Sequence, residues 1–465
     1  MKKTNLAKNT ILLSIGTLMT KGINLLMIPL FSSWLSTEDY GSFDLLCTYV
    51  SLLIPFITLS SSDAIFRFCV DKDDDIERSR YITAGFFING VNTLIACFVV
   101  MVIGLLGKWS MALPFATLLV AELFNNHLQG FVRSIKKLPI FSFSSVITTL
   151  GIALFVSAFV LWGDMGLKGI IYGYAIGYVI GEVVVILATK YWRYLNLRLV
   201  NKNIIVEMVR YAYPLIPNNI CWWIINVSDR TLIKIFLGTA FNGIYAIAYK
   251  IPNFCASIFN VFSISWQEAA VDLVDSDERN AYYNNVYNRT TSTMISLCGG
   301  LLALNYFLFH FVFDIRYFDA RLYSPILITS VIFGSLTQYF GGIQISFKRT
   351  KENGLTTMLG AVVNVIIDLA LIKLIGLYAA AISTLVSNIV ICLARYLRLS
   401  RIVPFKLSME TWSCIVYYLY MLVMAYWCNS FVISLCNLVL SCAAFCMINR
   451  EYVLNTLSKI KKVIS

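Results

Sequence analysis

A chain of 465 residues with 58% hydrophobic and only 13% charged residues is too apolar for an ordinary soluble domain, in which about a quarter of the residues are charged. Its formal net charge of +12 would suggest nucleic acid as a partner of a soluble protein, but in a membrane protein such an excess has first to be compared with loop position. The twelve cysteines fall mainly inside apolar runs and form no CxxC pair, which argues against a zinc or disulfide framework and for small buried hydrophobes.

Apolar windows long enough to cross about 30 Å of hydrocarbon recur from end to end. The predicted spans run 10–34, 41–64, 81–106, 111–132, 140–162 and 168–189, a first set of six. The first is too long for the apolar core of a signal peptide and lacks a small-residue cleavage site, so it reads as a retained helix. A basic connector, KYWRYLNLRLVNKNIIVEMVR, leads to a second six at 211–237, 241–267, 290–313, 323–346, 355–374 and 376–394. Two more follow at 409–427 and 430–448. The prediction is an all-α polytopic membrane protein of about fourteen transmembrane helices. It divides into an N-terminal six-helix lobe (1–200), a C-terminal six-helix lobe (201–400) and two additional helices (401–465).

With both termini in the cytoplasm, the inner side receives Lys2, Lys3, Lys8, Arg67, Lys72, Arg78, Arg80, Arg133, Lys136, Lys137 and the basic residues from Lys190 to Arg210. Lys348, Arg349, Lys351, Arg395, Arg398, Arg401, Lys406 and Arg450 continue the pattern, whereas the outer loops keep only Lys108, Lys168, Arg316, Arg321 and Lys373. That asymmetry is the positive-inside rule, so the basic charge reports topology and a nucleic-acid role falls away. No outer loop is long, and the largest inner loop, EAAVDLVDSDERNAYYNNVYNRT, has no glycine pattern for a nucleotide.

The segment WLSTEDYGSF after the first span has a counterpart, FLGTAFNGIY, after the seventh. At a constant offset of 202 positions it pairs Leu35 with Leu237, Thr37 with Thr239, Gly41 with Gly243 and Phe43 with Tyr245. Carried back, the same offset pairs Thr17 with Asn219, Lys21 with Trp223 and Asn24 with Asn226, so polar positions align as well. A repeat of six helices enters the membrane twice from the same side, which predicts halves related by an axis along the membrane normal.

On the first span Ser14, Thr17, Lys21 and Asn24 share one face. A lysine in midspan costs at least about 2.5 kcal/mol, which directs Lys21 to a protein interior, a wet cavity or a carboxylate. On the seventh, Asn219, Trp223, Asn226, Arg230 and Lys234 form one stripe. Arg230 and Lys234 lie one turn apart, so an anionic partner is expected: a ligand phosphate or a carboxylate such as Asp44, with Asp229 pointing elsewhere. Lys234 could equally snorkel to the outer interface. The eighth span adds Lys250, Asn253, Ser257, Asn260 and Gln267. The three faces would line a cationic, amide-rich cavity suited to phosphate and sugars, although aromatics such as Trp222, Trp223, Tyr245 and Tyr249 could equally pack helices. The substrate-binding candidates are thus Lys21, Asn24, Asn219, Trp223, Asn226, Arg230, Lys234, Lys250 and Asn253. Glu122 shares a face with Asn126, Gln129 and Arg133, Glu182 stands in the sixth span, and Asp368 lies one turn from Asn364. Glu122, Asp229 and Asp368 are the candidates for ion coupling, or for balancing a lysine. His127 and His310 sit on different spans without a ligand pattern, so neither a metal site, a bound cofactor nor catalysis is expected.

In KNTILLSIGTLMTKGINLLMIPLFSSWLSTEDYGSFDLL, in YPLIPNNICWWIINVSDRTLIKIFLGTAFNGIYAIAYKIP and in its six plus six plus two organisation, the chain resembles the Wzx-type lipopolysaccharide flippases of the multidrug/oligosaccharidyl-lipid/polysaccharide exporter superfamily. The resemblance implies two six-helix lobes in a V in the bacterial inner membrane. It also implies alternating access for an oligosaccharide on undecaprenyl pyrophosphate, an O-antigen or capsule repeat unit. Lys21 and Lys250 then occupy places similar to the cations that meet the pyrophosphate, and coupling would draw on a proton or sodium gradient or the membrane potential. Membrane lipids, a polysaccharide polymerase and a chain-length regulator are the implied partners. A cation-coupled small-molecule exporter of the same fold is the first alternative, which the cations Lys21, Arg230 and Lys250 disfavour. A membrane-embedded polymerase or ligase is the second, disfavoured by the lack of a long outer loop.

Overall fold

The computed structural model describes residues 2–70, 72, 74–213, 215–427 and 430–448, and the described residues are helical with no strand. They divide into two compact units, Met1–Trp223 and Ile224–Ser465, the boundary falling inside a helix.

The first unit contains α1 (Lys2–Trp34), α2 (Thr37–Ile57), the short α3 (Ser61–Cys69), α4 (Asp75–Leu106), α5 (Ala112–Ser134), α6 (Leu138–Ser157), α7 (Gly166–Thr189), the short α8 (Lys202–Ala212) and the start of α9 (Leu215–Phe236). The second continues α9 and adds α10 (Thr239–Asp272), α11 (Arg279–Phe307), α12 (Ala320–Ser346), α13 (Thr350–Ile375), α14 (Leu377–Leu399), α15 (Met409–Trp427) and α16 (Phe431–Ile448). Fourteen of these helices, all but α3 and α8, have 18 residues or more among the described residues, which matches the predicted number of spans. Nine are long and apolar enough to cross a membrane by length and composition alone. The other five include α5, which carries Glu122, Asn125, Asn126, His127, Gln129 and Arg133 on a single helix.

Three boundaries differ from expectation, each for a local reason. The span predicted at 41–64 stops at Ile57: Pro55 cannot donate a backbone hydrogen bond, and Leu59 and Ser60 adopt left-handed φ values of 49° and 52° before α3 begins. The turn is held by Thr58, whose hydroxyl donates to the Ile54 carbonyl (2.8 Å) and accepts from the Ser60 N–H (3.2 Å). The largest inner loop shortens to residues 273–278, because α10 and α11 continue as polar helix. The end of the basic connector and the first two residues of the predicted seventh span form α8, whose Met208 and Ala212 are buried with Ile65, Ile82 and Phe131 in the core of the first unit.

Helix ends reproduce the repeat. α1 ends at Trp34 and α2 starts at Thr37, while α9 ends at Phe236 and α10 starts at Thr239, again 202 positions on. The first junction is capped by Ser36, whose hydroxyl accepts the Asp39 N–H at 3.0 Å; the second turns on Gly238 at φ 105°. A second echo lies at the end of α5 and of α12. Lys136 and Lys348 both take a left-handed φ (60° and 58°), and the next residue reaches back five positions, Lys137 N–H to Val132 C=O and Arg349 N–H to Gln344 C=O.

In the first unit α6 and α7 pack through small residues. A Cβ on Gly173 would lie 2.7 Å from the Val156 nitrogen and one on Gly177 2.5 Å from the Ile152 nitrogen, so only glycine permits this approach. In the second unit the core is aromatic. Trp266 stacks on Tyr339 with centroids 4.6 Å apart and donates to its carbonyl at 2.9 Å. Arg395, 2% exposed, ties three helices by donating to Thr337 C=O, Asn353 C=O and the hydroxyls of Thr356 and Thr357. α15 docks on α11 through the Asn288 amide, whose oxygen accepts from Ser408 N–H and the Thr411 hydroxyl.

Candidate functional site

Each unit carries its own buried polar centre. In the second, Asp229 is 2% exposed, and its carboxylate accepts from the Tyr245 hydroxyl and, at 2.9 Å, from the Arg230 backbone N–H. The Arg230 guanidinium also returns to this carboxylate, Nη1 lying 3.7 Å from Oδ1, and stacks over Tyr249 at 5.1 Å. The expectation that Asp229 points away from Arg230 is therefore corrected: the carboxylate folds along its own helix, and the long arginine chain curls back to it. Asp368 on α13 is fully buried and close enough to Asp229 for the two charges to interact. Neither Asp368 oxygen has a hydrogen bond among the described residues. The nearby Ser383 hydroxyl is turned to the Ala380 carbonyl and accepts from the Asn364 amide at 3.2 Å. Two buried carboxylates thus lie within electrostatic reach of each other, one of them beside the Arg230 guanidinium.

In the first unit a cavity of about 270 Å³ opens where α2 breaks. Its wall is formed by Ser51, Ile54, Pro55 and Thr58 of α2 and its turn, Ser60, Ser62 and Asp63 around α3, Asn126, Gln129, Gly130 and Arg133 of α5, and Asn219 of α9. The start of α9 is fixed here by Asn219, whose amide donates to the Ser60 hydroxyl at 3.4 Å, and by Trp223, whose indole donates to the Thr48 carbonyl at 3.1 Å. Beneath the turn, Ser61 donates to Asn89, whose amide meets His127 Nδ1 at 2.9 Å, and His127 Nε2 meets the Tyr191 hydroxyl at 2.7 Å. Both ring nitrogens of His127 are therefore engaged in a structural network. Glu122 lies farther along α5, near Tyr178 and in the same electrostatic neighbourhood as Glu182 and Cys47.

The predicted binding residues have different surroundings. Arg230 is buried, Lys21, Asn219, Trp223 and Lys250 are half-buried, and Asn24, Lys234 and Asn253 are exposed. The side chain of Asn226 lies outside the described residues. Arg230 and Lys234, one turn apart in a single stripe, thus end in unlike environments. Sequence reasoning grouped Asn126, Gln129 and Arg133 with Glu122 but missed Asp63 and Ser383. The run LSSSD, a helix-start signal, could have indicated the former.

The described residues contain no group of three His, Cys, Asp or Glu able to hold a metal. The fold is similar to "Lipid II flippase MurJ, inward closed conformation", with a TM-score of 0.71 at 14% identity over 96% of this chain and 100% of that one. It is similar also to an inward-facing multidrug resistance MATE family transporter of the MOP superfamily (TM-score 0.66, 12% identity, 82% of this chain and 95% of that one). A third likeness is to a MOP superfamily transporter from Pyrococcus furiosus (TM-score 0.58, 15% identity, 84% and 96%). At such identities the likeness is one of fold, that of these polytopic transporters. No curated protein sequence matches the chain. The family model described as "Polysaccharide biosynthesis protein" matches residues 6–266, more than half of the chain, and the protein belongs to that family.

Proposed function

We propose that the protein is a flippase that moves an undecaprenyl-pyrophosphate-linked oligosaccharide, an O-antigen or capsule repeat unit, from the cytoplasmic to the periplasmic leaflet of the bacterial inner membrane by alternating access. The observation that carries this reading is the extent of the fold match in a family of polysaccharide biosynthesis. The lipid II flippase covers 96% of the chain at a TM-score of 0.71, whereas the multidrug transporters cover 82–90% of it at 0.66 or below. The polysaccharide biosynthesis family and the better fold match to a lipid flippase together favour a lipid-linked cargo over a small soluble cation.

In this reading Lys21, Arg230 and Lys250 meet the pyrophosphate, and Asn24, Asn219, Trp223, Asn226, Lys234 and Asn253 meet sugar or headgroup along the path. Arg is suited to the phosphate role because its planar fork binds two oxygens at once. Asp229 and Asp368 are the coupling pair: two carboxylates buried within reach of each other repel, and uptake of a proton or sodium ion there relieves that repulsion. Glu122 is the corresponding candidate in the first unit. Membrane lipids contact the apolar helices, and a polysaccharide polymerase and chain-length regulator act on the delivered product.

The test is surface polysaccharide in cells carrying Lys21→Ala or Arg230→Ala, with the protein level in the membrane checked in parallel. Loss of surface polysaccharide at normal protein level is expected. Normal polysaccharide in both variants would overturn the cationic path.

A further inference from the structure

The cavity at the break between α2 and α3 holds a set of polar groups that the fold leaves without work. Asp63 and Arg133 face the same space and feel each other's charge, yet they form no ion pair among the described residues. Neither the carboxylate nor the guanidinium makes a side-chain hydrogen bond there; Arg133 rests only on the face of Phe66, 4.9 Å from its centroid. The Asn126 oxygen accepts from the Ser62 hydroxyl at 2.5 Å, which fixes the amide and leaves its NH₂ without a partner among the described residues. The Gln129 oxygen is buried and likewise without a partner, and its NH₂ has only long contacts of 3.4 and 3.5 Å to Asn125 and Ser144. Ile54 and Pro55 give the same space an apolar wall.

Buried polar groups in proteins are normally satisfied, and the Gln129 oxygen is not; beside it the exposed Asp63 carboxylate and Arg133 guanidinium line the same space, so both are open to a ligand. What meets both at once is a ligand with adjacent hydroxyls, each able to donate to a carboxylate or amide oxygen and to accept from a guanidinium or amide NH₂. A sugar ring has that chemistry, and its C–H face suits Ile54 and Pro55. The volume of about 270 Å³ lies below the usual range for drug-sized ligands, which fits a small ring and not a whole oligosaccharide.

We propose that this cavity, lying wholly within the first unit, is a recognition site for a single sugar ring of the transported molecule, read by Asp63, Asn126, Gln129 and Arg133. The proposal rests on the flippase reading. It assigns sugar selectivity to hydrogen-bonding groups around the α2–α3 turn and separates that role from the cations proposed to hold the pyrophosphate.

The test measures binding of two probes to the purified full-length protein in nanodiscs: undecaprenyl pyrophosphate, and the lipid-linked repeat unit extracted from host cells lacking the gene. The wild type is expected to prefer the sugar-bearing lipid by tenfold or more, as a site built to bond hydroxyls rejects an analogue without them. Asp63→Asn, Arg133→Gln and Asn126→Ala are expected to bring that preference towards equality. Ser51→Phe, which fills the space from α2 without removing a polar contact of α3 or α5, should do the same if the other variants fold poorly. Full preference retained in the folded variants would overturn the cavity proposal and leave the flippase reading standing. Equal binding of both probes by the wild type would also overturn it. Absence of any accumulated repeat unit, or of binding to either probe, would overturn both.

Discussion

At the scale of single residues, His127 and Arg395 are buried polar side chains held by several hydrogen bonds, and their removal has calculable cost. His127 links Asn89 to Tyr191, so His127→Phe leaves two buried polar groups unsatisfied at about 1–3 kcal/mol each. A clear fall in the thermal midpoint of the purified protein is expected; an unchanged midpoint would show that the network is not closed as described. Arg395→Lys keeps the charge but cannot reproduce four donations in a plane, and it should cost about 3 kcal/mol or more by the same measurement. In the segment between α11 and α12, hydrogen bonding from Arg316 holds the Asp314 carboxyl below its ordinary range. A carboxyl held low when folded adds stability above its unfolded value of about 4 and loses it as the pH falls through the folded one. The pair is partly exposed, so its worth is below about 1 kcal/mol. Arg316→Gln should therefore lower the midpoint slightly at neutral pH and not at all in strong acid; an equal effect at both would contradict an electrostatic origin.

At the scale of elements, the glycines of α7 offer a paired experiment. Gly177→Ala places a methyl 2.5 Å from the Ile152 backbone and should cost about 1–3 kcal/mol by overpacking. Gly90→Ala on α4 meets nothing within 4 Å and should be neutral or stabilising through helix propensity. If both respond alike, the α6–α7 contact is not the close approach described. Spans and their number were legible because lipid demands long apolar helices, and the 202-residue repeat was legible because WLSTEDYGSF and FLGTAFNGIY share their turn residues. The α2 break was not. Pro55 and LSSSD were the local signals, but the apolar run across 41–64 outweighed them in a window long enough to find spans. The matching ends of α5 and α12, SIKK and SFKR, were too short to be noticed and become evident only from the left-handed Lys136 and Lys348.

At the scale of the whole molecule, the polar residues of α9 were legible as a stripe, but helical periodicity could not say which of them are buried. Arg230 is and Lys234 is not, and the partner of Arg230 is its own neighbour Asp229 because side chains bend back along a helix in ways that spacing alone does not encode. The surroundings of Asp368 were half visible: Asn364 lies one turn away, whereas Ser383 comes from the next helix and needed the packing of α13 on α14. The central claim concerns where a lipid-linked sugar resides, and the most direct measurement is the leaflet distribution of lipid-linked repeat units after the protein is depleted from cells. The flippase account predicts that complete repeat units accumulate on the cytoplasmic leaflet and that surface polysaccharide is lost. Repeat units reaching the periplasmic leaflet at the normal rate, with only chain elongation impaired, would contradict it.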